Sequence, residues 1–173
     1  MTYYFSFRMH LVTSSLFLSS FIEHLTPAAK SIFLHSYLVS VLTVWVARGR
    51  PAIPIAGFYQ RTSPNLNPPG LQPTPGKETL TPDALTPNAW LAVLQSTLLH
   101  PNEHLCKAQR ALAQYARVYG DYPVGSFKGT ELKEAELLDG TVFVRAAALT
   151  MDRLGWLREG QQKREWDFSG FWH

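Results

Sequence analysis

Nine of the chain's twelve prolines fall between Pro51 and Pro87, and no other feature restricts the fold so strongly. Proline fixes φ and removes a backbone donor, so a segment this rich in it resists both an interior helix and a central strand. Residues 51–87 are therefore expected to form one long irregular connection. Regular structure is left to the stretches on either side.

Before that connection the apolar spacing is helical. Residues 9–25 project at 3.6 residues per turn with His10, Ser14, Phe17, Leu18, Phe21, His24 and Leu25 on one stripe, which is expected to face a core. Thr26 followed by Pro27 supplies an N-cap with proline at the first helical position, so a second helix is expected from there to about Arg48. Phe33, Leu34, Tyr37, Leu38, Val41, Leu42, Val44, Trp45 and Val46 cover most of its azimuths, leaving only Ser36, Ser40, Thr43 and Ala47 as a small-residue strip. A helix apolar all round belongs in a membrane or in the middle of a larger protein. Ser31 to Ala47 is marginally short for a bilayer span, which takes about 20 residues, although Arg48 and Arg50 would suit a cytoplasmic flank. Leu11 to Ile22 superficially resembles a secretory signal, but four serines and a threonine dilute it and Glu23 and His24 follow directly. Burial within a larger helical fold is the preferred reading, with self-association the other way to cover such a helix.

After the connection a third helix is expected from Pro87 or Asn88 to Leu99. Pro101 breaks it by pushing His100 away from helical dihedrals. A fourth helix is expected from Pro101 to Gly120, with His104, Leu105, Ala108, Ala111, Leu112, Tyr115 and Tyr119 facing inward. A short charged helix around Glu131 to Leu138 and a longer one from about Thr141 to Arg158 follow. The chain closes on Trp166, Phe168, Phe171 and Trp172, an aromatic tail that needs a groove to dock in. The fold class is thus all-α: residues 1–173 as a single, irregular multi-helix domain with a Pro-rich connection, forming part of a larger helical fold.

Composition removes several classes of function. The formal net charge is +3 with 17% charged residues, and Lys and Arg are scattered rather than gathered into a stripe, so nucleic acid is not an expected partner. Cys106 is the single cysteine, which excludes a disulfide framework and fits a reducing, cytoplasmic setting with Cys106 in a packing role. No GxSxG elbow and no GxGxxG or GxxxxGK[ST] phosphate cradle occurs, so neither a serine hydrolase nor a Rossmann-type nucleotide site is indicated.

The candidate chemistry lies in His100-Pro101-Asn102-Glu103-His104-Leu105-Cys106-Lys107. Residues three apart on a helix are neighbours, so His104 and Lys107 can aim at one point, and His100 can join from the preceding turn. Imidazole suits iron, zinc, copper or nickel, whereas a cationic lysine repels them all. The plainer alternative is that Glu103 and Lys107 form an i,i+4 surface ion pair and His104 is a core histidine. His10 and His24 are about 21 Å apart along a helix rising 1.5 Å per residue, too far to share one metal.

Four blocks in order are more specific than any one of these: Met9-His10-Leu11-Val12-Thr13-Ser14-Ser15-Leu16-Phe17, then Ala47-Arg48-Gly49-Arg50-Pro51, then His100 to Ala111, then Trp166-Asp167-Phe168. Together they resemble the questin oxidase family. The resemblance implies a mostly helical oxygenase of fungal secondary metabolism. It would open rings of aromatic polyketides such as anthraquinones by Baeyer-Villiger-type oxidation, with molecular oxygen as co-substrate and NADPH as reductant. It also implies a non-haem iron held by histidines and a carboxylated lysine, with His10, His104 and Lys107 as the metal residues carried over, and His100 and His35 as weaker candidates. Family members are longer, so the chain is expected to correspond to their C-terminal part and to lack further ligands. A noncatalytic helical module that self-associates or docks on a partner is the reading from another class.

Overall fold

A computed structural model describes residues 3–47, 49–70 and 88–166, residues 3–8 as backbone alone. Its internal contacts divide the chain into two units, one reaching to Ile53 and the other running Pro54–Trp166. The described residues are helical with no strand among them, in keeping with the all-α expectation.

In the first unit three consecutive hydroxyls decide the local structure. Thr13 Oγ1 donates to the His10 carbonyl at 3.4 Å, Ser14 Oγ to Leu11 at 3.2 Å and Ser15 Oγ to Val12 at 2.7 Å. Such bonds compete with the helical ladder. The helix expected over 9–25 is accordingly divided into α1 (Tyr3–Ser14), a 3₁₀ turn (Ser15–Phe17) and α2 (Leu18–Glu23). Among the described side chains of α1 the buried ones are Met9 and Thr13, while His10 is exposed, and so is His24 beyond α2. The expected inward stripe of histidines is therefore corrected, because the apolar thioether and the self-bonded threonine bury at lower desolvation cost than an imidazole.

Helix α3 (Pro27–Ala47) begins as expected, with Thr26 Oγ1 accepting the Ala29 N–H at 3.3 Å. It ends in a Schellman closure: Gly49 N–H reaches Val46 O at 2.9 Å and Arg50 N–H reaches Trp45 O at 3.0 Å, with Gly49 at φ 77°, a conformation glycine adopts without a Cβ penalty. Tyr37 Oη donates to the Leu11 carbonyl and lies 3.1 Å from Ser14 Oγ, and the Phe21 and Phe33 rings meet edge-on at 5.7 Å. These contacts join α1 and α2 to α3. Even so, Ile32, Leu38, Val39 and Val46 remain 54–68% exposed. By length and composition α3 is long and apolar enough to cross a membrane.

The second unit is built on α5 (Ala89–Leu99), α6 (Glu103–Tyr119) and α7 (Val142–Leu154), which pack against one another. Val93, Leu105, Ala147, Met151, Leu154 and Trp156 form the core, with Leu66, Trp90, Ala92, Leu112 and Trp166 packed on it. Gln109 is also fully buried, its Nε2 donating to the Ala147 carbonyl at 3.0 Å. α7 stops at Gly155, whose φ is 103° and whose missing Cβ would lie 2.3 Å from Gln162 O. The chain there doubles back, and Arg164 N–H bonds Leu154 O at 2.8 Å.

Two expectations need correction here. Residues 51–87 are not irregular throughout, since Ile55–Arg61 forms α4, placed just after Pro54 where proline does no damage to a helix. The helix expected near Glu131 to Leu138 is only a 3₁₀ turn, Ala135–Leu137, entered through Glu134 at φ 65°. Residues 71–87, and with them part of the Pro-rich connection, lie outside the described residues, as do Phe168, Phe171 and Trp172 of the aromatic tail.

Polar contacts seat α4. Glu134 Oε2 accepts the Ala56 N–H at 2.9 Å, and Tyr59 Oη donates to Asp139 Oδ1 at 3.0 Å. The Arg145 guanidinium lies 4.6 Å from the centre of the Tyr59 ring and donates to the Thr62 carbonyl. Burial pushes the Tyr59 phenol above its ordinary 10.0, the Asp139 carboxylate adds to the shift, and the Asp139 N–H and Arg145 oppose it.

Two measurements check this account. Met151→Ala should cost about 2–5 kcal/mol in denaturant unfolding, the range for truncating a fully buried apolar side chain. A folded phenol whose pKa is raised binds its proton more tightly than the unfolded one. Its stabilising contribution is thus complete below about pH 10 and is lost as pH rises towards the folded value. Tyr59→Phe should remove that alkaline loss and one phenolate from the alkaline absorbance titration.

Candidate functional site

Pro101 shapes the junction between α5 and α6. It holds His100 at φ −82°, ψ 126°, outside the helix, as the residue before a proline is expected to be. Asn102 then becomes the N-cap of α6, accepting the His104 N–H at 2.9 Å and the Trp166 indole N–H at 3.3 Å on the same oxygen. The helix therefore starts at Glu103 rather than at Pro101. Asparagine was the better cap on offer, and Glu103 stands in the first turn, where a negative charge is favoured.

The junction separates the candidate residues by role. His100 is buried, and both its ring nitrogens are engaged: Asn102 N–H donates to Nδ1 at 3.1 Å, and Nε2 faces the Leu154 carbonyl at 3.2 Å. This pairing selects the tautomer with the proton on Nε2. The imidazole thus clips the end of α7 to the start of α6 and has no lone pair left for a metal. His104 is half-buried rather than fully turned into the core, and Cys106 is exposed, correcting the packing role expected of it.

Lys107 Nζ lies 3.2 Å from Glu103 Oε2. That is the i,i+4 pair in its favourable order, contributing about 0.2–0.5 kcal/mol. His104 and Lys107 are brought onto one turn of α6, as the spacing predicts. His10 stands on α1 in the other unit, and His35 is exposed on α3 with Nδ1 at 3.3 Å from Ser31 Oγ. Among the described residues no group of three or more His, Cys, Asp or Glu is placed to hold a metal ion. On α6 the His104 imidazole is accompanied by one carboxylate, Glu103, and that is paired with Lys107, so these side chains as they stand do not make an iron site.

A second convergence of polar groups escaped the sequence reading. Between the end of α4 and α7 lies a cleft of about 220 Å³, lined by Arg61, Thr62, Ser63, Asn65, Asn67 and Asp152 with Leu66, Ala148, Leu149 and Trp156. Six of its ten lining residues come from the stretch read as irregular connection. The run Ile55-Ala56-Gly57-Phe58-Tyr59-Gln60-Arg61, proline-free after Pro54, was the available signal.

The profile of the questin oxidase-like family matches residues 4–112. Three of the four resemblance blocks, with His10, His104 and Lys107, fall inside that span, and the block at Trp166 lies beyond it. No curated protein and no solved structure shows significant similarity to the chain.

The contrast between the junction histidine and the surface pair is measurable. His100→Leu should destabilise by about 1–3 kcal/mol, the cost of leaving the part-buried Asn102 N–H without its acceptor and of removing one of the two donors to the Leu154 carbonyl. Lys107→Met should change stability by less than about 0.5 kcal/mol. Equal effects in denaturant unfolding would contradict these roles.

Proposed function

Because the chain belongs to the questin oxidase-like family, which sets it among the oxidoreductases of secondary metabolism, we propose that it is an oxygenase acting on aromatic polyketides of the anthraquinone type. The family match across residues 4–112 carries this reading. In a Baeyer-Villiger ring opening, one atom of molecular oxygen enters the carbon–carbon bond beside a ketone and the other leaves as water. Two electrons come from a reductant, for which NADPH is proposed. A cytoplasmic setting suits that reductant.

Iron is the cofactor proposed with it, held by His10, His104 and Lys107 together with other donors. Lys107 qualifies only after reaction with carbon dioxide: the ammonium gives up one proton to become the amine, the amine nitrogen forms an Nζ–C bond and gives up a second, and the cation becomes a carbamate anion. The Glu103 pair is then lost and two anions stand one turn apart, disfavoured by about as much as the pair was favoured. A carbamate at this position therefore requires a cation beside it, which ties lysine modification to metal loading. When bound, iron would supply the activation of oxygen; the role of His104 is to present a neutral imidazole from a helix whose start is fixed by Pro101, Asn102 and His100.

A second reading is favoured by one observation, the exposed apolar surface of α3. On that reading the chain is a noncatalytic helical module that covers α3 by self-association or on a partner.

Elemental analysis of the purified chain separates the two. The oxygenase reading expects iron that falls to background in His104→Ala and in Lys107→Ala, and metal content unchanged by either substitution would end the assignment of these ligands. The module reading expects a metal-free protein whose light scattering shows a dimer or larger species, and a metal-free monomer would count against both.

A further inference from the structure

We propose that the exposed face of α3 is the contact between two copies of this chain, whose α3 helices pack antiparallel along a seam centred between Val39 and Leu42. The inference rests on the same uncovered helix as the module reading above, but not on that reading's claim that the chain is noncatalytic.

At about 100° per residue, Phe33, Tyr37, Val41 and Val44 fall on one side of α3. These residues are half-buried, and the Tyr37 hydroxyl and the Phe33 ring hold that side against α1 and α2. The opposite side is apolar as well. Ile32, Val39, Leu42 and Val46 follow one another there with His35 at alternating steps of three and four residues, and the four apolar ones are 47–68% exposed. That is the spacing of a helix–helix seam. Polar groups on or beside it are bonded within the unit: Ser31 Oγ lies 3.3 Å from His35 Nδ1, Ser40 Oγ donates to the Ser36 carbonyl at 2.8 Å, and the Trp45 indole N–H donates to the Pro51 carbonyl at 3.2 Å. Covering the face therefore does not strand these groups, which is the cost that ordinarily opposes burial.

Three properties select a second copy as the occupant. From Ser31 to Ala47 the sequence holds no Asp, Glu, Lys or Arg, so identical faces meet without like-charge repulsion. The large apolar side chains left exposed on α3, at on the order of 100 Å² each, offer about 700 Å² from one copy, within the per-partner range of a stable interface. The two edges of the seam also differ. Leu38 and Trp45 border it on one edge and Ser36 and Thr43 on the other. A two-fold axis between antiparallel helices brings like edges together, Leu38 beside Trp45 of the other copy and Ser36 beside Thr43. Parallel helices would set each apolar edge against a hydroxyl edge. Antiparallel packing also puts the two copies of Arg50 about 30 Å apart, well beyond a Debye length of about 8 Å.

Light scattering and sedimentation of the full chain over a dilution series test this. A dimer is expected. Val39 is 60% exposed, so Val39→Glu should leave the circular dichroism unchanged and weaken the dimer about a hundredfold or more, the scale of a central interface residue. Leu98→Glu, at a position 80% exposed on α5, should leave the dimer intact. Sense is read by cross-linking in a Cys106→Ser background. His35→Cys mixed with Val46→Cys should form a disulfide between copies, whereas His35→Cys alone should not, because antiparallel packing holds its two copies about 16 Å apart along the seam. A parent chain that is monomeric throughout, or that sediments as a monomer on phosphatidylcholine vesicles, would overturn the proposal. So would a dimer indifferent to Val39→Glu, or His35→Cys that cross-links to itself. Iron measured on the same samples keeps the readings apart: an iron-loaded dimer ends the noncatalytic reading and leaves this one, while a metal-free dimer indifferent to Val39→Glu does the reverse.

Discussion

The second unit depends on a single peptide junction. Pro101 cannot continue a helix, and by excluding His100 from helical dihedrals it ends α5 and lets Asn102 cap α6. The displaced imidazole then reaches Leu154 at the end of α7. One covalent constraint thereby fixes three helix ends, and the core of Val93, Leu105, Met151 and Leu154 closes beneath them. The Trp166 indole donates to the same Asn102 oxygen that caps α6, drawing the last described residue to this point as well.

The same junction explains why chemistry and architecture are hard to separate in this chain. Of the two imidazoles in the motif, the more deeply buried one is consumed by hydrogen bonds, and the more accessible one stands beside a lysine already engaged with Glu103. A sequence pattern rich in potential ligands has thus been partitioned between a structural clip and a surface turn. Family membership supports oxidoreductase character, while the described side chains locate the residues that such a role would have to recruit.

Much of the architecture was legible in the sequence because local rules governed it. Thr26 with Pro27 announced α3, Asn88 and Pro101 bounded α5, and Gly120 followed α6. What was not legible depended on competition between nearby groups or on partners distant in sequence. Thr13, Ser14 and Ser15 look harmless in a helical projection, and only their shared preference for the preceding carbonyls interrupts it. Gln109 reads as a surface residue until Ala147, on a helix whose approach no local pattern predicts, offers its carbonyl. The cleft is a stronger case, since Arg61 and Asp152 are 91 positions apart in the chain. His104 and Lys107 were placed correctly on one turn because i,i+3 adjacency is a property of the helix alone.

The 3₁₀ turn at Ser15–Phe17 acts as a change of phase. A 3₁₀ segment advances about 120° per residue against about 100° for an α-helix, so three residues offset the two helical wheels by about 60°. The face that runs through Met9 and Thr13 on α1 consequently does not continue along the same line on α2. A substitution that removed these hydroxyls and restored one uninterrupted helix would preserve every apolar residue and still turn Phe21 away from Phe33. In this segment three serine and threonine oxygens set the azimuth at which the aromatic rings meet.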